Sequence, residues 1–428
     1  MLVLWFNKYF NNLNNSDIIF KSEYWPLKKL EKLQNKRLKF ILNYAYNNIP
    51  GYRAKFDEAG IVPSDIKTKK NLIKLPKTIR KKLQNNPDFI NAKLITNTLY
   101  TGGSTGTSLE YYESELAGKM RWNAHLRGWS WNGYKPGKKL AVISSTQGVI
   151  NCDNTLNLSG DLSDQNLKSN VEELIKFKPE YIRGYVSSIY ILAKYILDND
   201  INIEGVQSID PISENLYDYQ REVIEKAFHC KIFEEYCCND GGACAWECEK
   251  HEGLHYFMER AIIEEIDGEM VVTDLWNLAM PFIRYKNGDS VSFLKRNCSC
   301  GRNLPLITVK GRTNDILISR EGPISPSFLT HHGIGMSSLD SNGSFKSGIR
   351  MAQYKQKPNF ILEVNLVLNT WCTDEEINSF KEKISEIAKG MEIKLNIVDT
   401  ITTTEKGKRR FIINEDKELL KKWDLYRG

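Results

Sequence analysis

The chain has 428 residues, of which 41% are hydrophobic and 26% are charged, and its formal net charge is +6. This length exceeds what one ordinary hydrophobic core supports, so we expect two domains. The 59 basic and 53 acidic residues alternate along the chain instead of forming a basic stripe, which argues against nucleic acid as a partner. The first apolar run, LVLWF, is too short for a bilayer span or a signal peptide, so we expect a cytoplasmic protein with no membrane span.

Helical and strand-like patterns alternate along much of the chain. Residues 27–49 place Leu, Ile and Ala at steps of three and four, which predicts a helix that ends before Pro50-Gly51. Further on, the periodicity predicts strands at 138–145, 181–185 and 231–236 and helices at 166–177, 187–199 and 217–228. This alternation predicts α/β layers around a largely parallel sheet.

Two later segments depart from this alternation. Residues 261–275 predict two strands joined at Asp267-Gly268, which is a hairpin signal. After a boundary near residues 311–316, strands at 360–368 and 393–399 flank a helix at 373–390, which predicts a small α+β domain. We therefore expect a large N-terminal domain at residues 1–313 and a small C-terminal domain at residues 314–428.

The run TGGSTGT at residues 101–107 contains only Gly, Ser and Thr. It has no side chain large enough to pack, but it offers flexible backbone, N–H groups and hydroxyls, which suit phosphate oxygens. A hairpin turn or a surface loop is the alternative, because glycine-rich loops are common.

Nine cysteines in a chain of this length favour metal binding over disulfides. Cys248, Cys298 and Cys300, together with His251 or His255, have the spacing of a zinc site that ties two loops together. Four protein ligands would make the site structural, since no coordination position stays open for water. The alternative is a cluster of reduced cysteines without a metal. Three more cysteines are interpreted as small packing residues: Cys237, Cys238 and Cys244.

Several motifs follow one another in a specific order and spacing. They are TGGSTGT (101–107), RGYVSS (183–188), EYCCND (235–240), ECEKHEGLH (247–255), VVTDLWNLAMPFIRYKNGD (271–289), CSCG (298–301), GRTND (311–315) and EKGKRR (405–410). Together they resemble the adenylate-forming enzyme superfamily, most closely its branch of phenylacetate–CoA ligase-like and capsule-biosynthesis (CapK-type) adenylating proteins. The resemblance covers nearly the whole chain. It implies an α/β fold with a large N-terminal domain of mixed and parallel sheets flanked by helices, and a small, mobile α+β lid domain at the C-terminus.

The resemblance also implies an activity. Enzymes of this family join a carboxylate to AMP using ATP, release pyrophosphate and pass the acyl group to a thiol or amine acceptor. The implied cofactors are ATP, Mg²⁺ and a structural Zn²⁺, with coenzyme A where the acceptor is a thiol. The capsule-type relatives favour a role in surface polysaccharide (capsule or O-antigen) biosynthesis with a sugar acceptor. The alternatives are a phenylacetate-type aryl-CoA ligase and a catalytically idle nucleotide-binding scaffold.

The phosphate loop is the first site that the resemblance implies. It assigns the β- and γ-phosphates to four residues, namely Ser104, Thr105, Gly106 and Thr107. The loop lysine of many relatives is absent, because Ser108-Leu109-Glu110 occupies that region. Backbone N–H groups, Mg²⁺ and basic residues elsewhere would then offset the phosphate charge.

The remaining nucleotide contacts are implied by three separate motifs. Tyr236 in EYCCND would stack near the adenine, and Arg312 in GRTND would meet ribose or phosphate. Asp289 in YKNGD would accept both ribose hydroxyls, although a local turn is the alternative role for this residue.

Catalysis and domain motion are assigned in the same way. Asp240 stands where relatives have a Glu that holds Mg²⁺, and Cys237 stands where they have Gly. Asn314 occupies the hinge position, which is usually Asp or Lys. Lys408 corresponds to the C-terminal catalytic lysine, whose ammonium offsets charge on the α-phosphate, although the neighbouring basic residues make a solvated loop the alternative.

Two further sites complete the implied set. The resemblance places the acyl pocket along Arg183, Gly184 and Tyr185. It also selects the zinc ligands, because zinc-bearing relatives share a Gly-Leu-His element, which contains His255 here and excludes His251. The implied ligand set is therefore Cys248, His255, Cys298 and Cys300.

Overall fold

The computed structural model describes residues 18–101, 109–144, 154–160, 164–310, 316–324, 329, 348–368, 370–401 and 412–423. Contacts group the chain into two compact units. The first unit comprises Met1–Thr101, Leu109–Lys138 and Phe233–Gly311, and the second comprises Gly102–Ser108, Lys139–Ile232 and Arg312–Gly428. The expected division at residues 313 and 314 stays a prediction. In the described ranges, no helix is both long enough and apolar enough to cross a membrane.

The α-helices of the described chain are α1 (Ile18–Lys21), α2 (Leu27–Asn48), α3 (Pro50–Glu58), α4 (Arg80–Leu83), α5 (Glu115–Ser130), α6 (Asp164–Phe177), α7 (Val186–Asp198), α8 (Asp218–Phe228), α9 (Asp374–Ile387) and α10 (Lys417–Lys422). The strands are β1 (Asn97–Tyr100), β2 (Glu110–Glu113), β3 (Leu140–Ser144), β4 (Thr155–Ser159), β5 (Tyr181–Tyr185), β6 (Ser208–Ile212), β7 (Lys231–Ile232), β8 (Glu235–Cys238), β9 (Ala243–Glu247), β10 (Leu254–Tyr256), β11 (Ala261–Ile266), β12 (Glu269–Asp274), β13 (Tyr285–Phe293), β14 (Leu306–Lys310), β15 (Leu317–Ser319), β16 (Gly322–Ile324), β17 (Ile349–Lys357), β18 (Ile361–Leu368), β19 (Glu392–Ile397) and β20 (Ile412–Asn414).

The first unit is built on a seven-stranded sheet in the order β11-β12-β13-β14-β10-β9-β8, in which every neighbouring pair is antiparallel. The predicted hairpin is confirmed, because β11 and β12 pair around Asp267 and Gly268, whose φ values of 55° and 75° suit a two-residue turn. Helix α2 buries the apolar stripe that predicted it, including Leu38 and Ile41. Buried Gln34 on the same face donates to the carbonyls of Met258 and Ala261, so a polar contact also fixes this helix.

The second unit contains a five-stranded sheet in the order β4-β3-β5-β6-β7, in which every pair is parallel. The predicted parallel α/β layer is thereby confirmed. Its core joins apolar side chains of α6, α7 and α8 to the strands, and it also includes Ile316, Ile318 and Leu420 from the end of the chain.

A second sheet of this unit has the order β19-β18-β17-β20. Strands β18 and β19 run parallel, and helix α9 lies between them in the sequence. The predicted β-α-β element is therefore confirmed. It has a hydrophobic core of its own, to which Leu366, Phe380 and Ile384 contribute.

The predicted strand at 231–236 is wrong as a single element. The structure divides it into β7, an edge of the parallel sheet, and β8, an edge of the antiparallel sheet. Strand β7 ends at Ile232 because side chains take its backbone groups: Glu225 accepts its N–H at 3.1 Å and Arg221 donates to its carbonyl at 3.0 Å. Two residues later the N–H of Glu234 donates to Glu247 at 2.9 Å, and the antiparallel pairing begins.

Candidate active site

Tyr236 and Asp289, which the resemblance assigns to the nucleotide, lie in contact in the first unit. The Tyr236 hydroxyl donates to Asp289 Oδ2 at 2.8 Å. Asn287 Nδ2 donates to the Tyr236 hydroxyl at 2.9 Å and to the same carboxylate oxygen at 3.3 Å, while its Oδ1 accepts the N–H of Asp289 at 3.1 Å. Gly288 between them has a φ of 94°, which only glycine adopts readily. The Asp289 carboxylate is thus held in one orientation on a fixed turn.

Asp240, the expected magnesium ligand, follows β8 and is oriented by two donors. The Tyr285 hydroxyl donates to its Oδ2 at 3.0 Å, and the Cys238 thiol donates to its Oδ1 at 3.2 Å. The turn after it needs glycine, because a Cβ on Gly241 would lie 2.3 Å from the Val272 side chain, and both following glycines have positive φ. The close approach of this turn to β12 sets the position of the carboxylate.

Burial keeps the donors of this cluster protonated. It raises the pKa of Tyr236 well above its ordinary value, and the nearby Asp289 carboxylate adds to the rise. Burial and then the charge of Asp240 likewise raise the pKa of Cys238, so that its sulfur stays a thiol donor. The two carboxylates are therefore bound by neutral O–H and S–H groups, which orient them without cancelling their charge.

The four implied zinc ligands also lie together. The donor atoms of Cys248, His255, Cys298 and Cys300 are all within 4.8 Å of one another. Cys248 Sγ is 3.6 Å from Cys298 Sγ and 3.3 Å from His255 Nε2, which lies 3.4 Å from Cys300 Sγ. Tetrahedral zinc with bonds of 2.0–2.3 Å separates its ligand atoms by about 3.3–3.8 Å, so this donor set fits zinc.

The surroundings of the cluster support metal binding as well. His255 is fully buried, and burial lowers its pKa to about 4, which leaves the neutral ring that a metal requires. Its other nitrogen lies 3.4 Å from the Leu304 carbonyl, and backbone N–H groups of Lys250 and Arg302 point at two of the sulfurs. His251 lies outside the cluster, with Nδ1 3.3 Å from Glu247.

The other expected site residues lie in the second unit or outside the described residues. Arg183, Gly184 and Tyr185 form the end of β5 in the second unit, where a Cβ on Gly184 would come within 2.7 Å of the Ile143 carbonyl. The remainder of the implied set lies outside the described residues: Ser104, Thr105, Gly106, Thr107, Arg312, Asn314 and Lys408.

The roles of two residues in this site were not predicted from the sequence. Asn287 and Tyr285 stand inside the YKNGD motif, but neither was assigned a role. A signal was available, because in an x-N-G-x turn the Asn side chain commonly bonds the backbone two residues later. Nothing in the spacing indicated that Tyr285 reaches Asp240, since 45 residues separate them.

The fold is that of the adenylate-forming ligases. A crystal structure of 2-hydroxyisobutyryl-CoA ligase with 2-HIB-AMP and CoA in the thioesterification state matches 94% of this chain and 93% of its own, with a TM-score of 0.62 and 18% sequence identity. The same ligase in a postadenylation state with R3-HIB-AMP matches 97% of each chain with a TM-score of 0.61 and 17% identity.

Sequence comparison shows which adenylate-forming proteins this chain resembles. Residues 334–415 match the family described as the CapK C-terminal domain. Protein CapK of Staphylococcus aureus is 28% identical over 417 residues, covering 91% of this chain and 90% of that protein. Phenylacetate-coenzyme A ligase of Thermus thermophilus is 25% identical over 340 residues, covering 70% of this chain and 74% of that enzyme. The predicted resemblance to the phenylacetate–CoA ligase-like and CapK-type branch is confirmed.

Proposed function

We propose that the chain is an AMP-forming ligase that activates a carboxylic acid with ATP as an acyl-adenylate and then transfers the acyl group. The observation that carries this proposal is the contact between Tyr236 and Asp289 beside Asp240, since three residues from two distant motifs meet within one unit. A carboxylate held by a fixed turn matches a ribose diol, and a second carboxylate nearby offers oxygen to Mg²⁺.

In the first proposed step, a carboxylate oxygen of the acid attacks the α-phosphorus of ATP and the bond to pyrophosphate breaks. Mg²⁺ held at Asp240 would neutralise phosphate charge, and Lys408 would offset the charge on the α-phosphate. Asp289 would hold the ribose, with Tyr236 near the adenine. Arg312 would meet ribose or phosphate, and the 104–107 loop would supply backbone donors to the β- and γ-phosphates.

In the second proposed step, an acceptor nucleophile attacks the acyl carbon and AMP leaves. The C-terminal domain would turn about Asn314 to admit this acceptor, as a lid beyond residue 313. The acyl group would lie along Arg183, Gly184 and Tyr185. The zinc cluster would stabilise the fold and take no part in the chemistry.

Two acceptors remain in competition. We propose an amine or sugar acceptor in surface polysaccharide biosynthesis from the resemblance to the capsule-type branch, and the similarity to Protein CapK over 91% of this chain supports that branch. The phenylacetate-coenzyme A ligases match between 68% and 86% of it and favour the thiol of coenzyme A. We place either reaction in the cytoplasm, where ATP is available.

Pyrophosphate release from ATP over a panel of carboxylic acids tests the first step. At least one acid should stimulate release, and Asp289→Asn should weaken ATP binding about 10- to 100-fold, the range for losing hydrogen bonds to a charged group. Asp267→Asn is the matched control, because it makes the same exchange in the hairpin turn of β11 and β12. ATP binding without turnover for any acid would support the idle scaffold instead.

Lys408→Ala separates catalysis from binding. Pyrophosphate release should fall at least 100-fold while ATP affinity changes little, because the ammonium is proposed to act on the α-phosphate during displacement. In the wild-type protein, an increase in AMP release on addition of coenzyme A, or instead on addition of amino sugars, identifies the class of acceptor. An unchanged rate in Lys408→Ala would refute the proposed role of this residue.

A further inference from the structure

A second group of metal-ligating side chains lies in the first unit, separate from Cys248, His255, Cys298 and Cys300, which are called the Cys248–Cys300 cluster below. Donor atoms of His125, Glu235 and Cys237 are all within 4.8 Å of one another, and the three side chains are partly exposed. We propose that these residues form a second metal site, for a divalent transition metal of the zinc class, with a coordination position open to a ligand. This inference does not depend on the proposed ligase activity.

The backbone brings these three residues to one place. Glu235 and Cys237 alternate along β8, so both side chains leave the same face of the strand. His125 lies on α5, which approaches the sheet closely at Gly128, where a Cβ would be 2.3 Å from the ring of Trp246. Helix-on-sheet packing therefore brings the three residues to one place.

Two tryptophan side chains hold Glu235 and His125 in position. Trp129 and Trp246 donate their Nε1–H groups to the same Glu235 oxygen, at 3.1 and 3.0 Å. Their rings also flank the His125 imidazole, with centroid separations of 5.2 and 5.5 Å. Such a second layer of hydrogen bonds and packing fixes ligand orientation in known metal sites.

The chemistry and charge of the three donors suit zinc. One imidazole nitrogen, one thiolate sulfur and one carboxylate oxygen match its preferences. Binding would release the Cys237 thiol proton to solvent, after which two anionic ligands balance a divalent ion. Arg121 and Arg260 also line the nearby cavity, but each is ion-paired, with Glu113 at 3.0 Å and Asp274 at 3.2 Å.

The number of ligands and a neighbouring cavity distinguish this group from the Cys248–Cys300 cluster. Among the residues that the structure describes, three side chains rather than four supply its donors. His125 and Cys237 line a small cavity, which also touches Cys238 and Asn239 next to Asp240. A metal here would face that cavity, and water or a small anionic ligand such as a carboxylate would complete its coordination.

Metal content and cobalt absorption of the full chain test the proposal. Protein produced in zinc-depleted, cobalt-supplemented medium should contain two equivalents of metal per chain, and Cys237→Ser and His125→Phe should each contain one. Cys230→Ser, which removes a cysteine of the second unit, should keep two. The strong thiolate-to-cobalt absorption of the Cys248–Cys300 cluster serves as the folding control in every variant.

Azide tests the open position, because small anions bind vacant sites on divalent metals. It should shift the weaker cobalt bands in the wild type and shift none in Cys237→Ser. One equivalent of metal in the wild type, or two in both variants, would overturn the proposed site. Two equivalents without any azide effect would overturn its open position.

Discussion

Lys55 of α3 is a buried cation in the first unit, with 5% of its surface exposed. Its ammonium donates to the hydroxyl of Thr78, which in turn donates to the Ile283 carbonyl at 2.7 Å. Burial, and then the charge of Arg284, lower the pKa of Lys55 from 10.5 to about 7. The unfolded chain therefore binds one more proton than the folded chain between these two pH values, and stability should rise with pH across that window.

Replacement of Lys55 by Met should remove this dependence. The unfolding free energy of the wild type minus that of Lys55→Met should increase between pH 8 and pH 10 by at most about 1.4 kcal/mol per pH unit, the value for one proton. Urea unfolding at four pH values measures it. Lys36→Met, on an exposed face of α2, is the control and should give a flat difference. A flat difference for Lys55→Met would show that the ammonium is not desolvated.

At the same scale, sequence reasoning identified residues that lie within recognised motifs and missed those that act across long separations. Cys248, Cys298 and Cys300 could be chosen because their types and spacing carry chemistry, and the family resemblance selected His255 as the fourth ligand. His125 lies near Cys237 because α5 packs on β9, the neighbour of β8 in the sheet, and no pattern in the sequence encodes that proximity. Cys237 was accordingly interpreted as a small packing residue.

Helix α9 begins with a capping box. The Thr373 hydroxyl accepts the N–H of Glu376 at 3.2 Å, and the Glu376 carboxylate accepts the N–H of Thr373 at 3.0 Å. The other oxygen of Glu376 accepts the N–H of Gly348 at 3.1 Å, so the cap also fixes the chain before β17. The first turn of α9 is thus bound to its own sheet.

Thr373→Ala should loosen that turn. Loss of an N-cap hydroxyl costs about 1 kcal/mol, so amide protection in the first turns of α9 should fall about fivefold. Hydrogen exchange followed by mass spectrometry resolves this change. Thr370→Ala, an exposed threonine three residues earlier, should leave the protection unchanged. Equal exchange in the two variants would contradict a stabilising cap.

The elements differ in how well the sequence predicted them. Helices α2, α7 and α8 and strand β5 lie within one or two residues of expectation. The helices repeat apolar residues at steps of three and four, whereas β5 is a short run that is buried almost throughout. The break between β7 and β8 was missed, since apolar residues continue through Phe233 while side-chain contacts to Ile232 end the pairing. Helix α5 was not predicted, because its buried face includes Gly, Asn and Arg.

Across the first unit as a whole, the four proposed zinc ligands link parts of the chain that are far apart in sequence. Cys248 follows β9, His255 lies on β10, and Cys298 and Cys300 lie between β13 and β14. Because a metal that binds only the folded state stabilises it, removing the metal should loosen several strands of the antiparallel sheet together.

Metal removal should therefore lower the melting temperature. We expect a strong chelator to reduce it by about 5 °C or more, since each kcal/mol corresponds to about 2–4 °C in a domain of this size, and added zinc to restore it. Cys298→Ser should show the same loss without chelator. Cys372→Ser, in the second unit, should melt like the wild type. A chelator-insensitive wild type would favour the reduced cysteine cluster without metal.

The core around α9 draws on side chains that all lie between Leu317 and Ile412. A segment that encloses its own apolar interior keeps its shape when the rest of a gene diverges or recombines. Exchange of this segment between related ligases would carry the proposed catalytic Lys408 with it, so evolution could replace the lid and its lysine as one unit while the contact between Tyr236 and Asp289 is inherited unchanged.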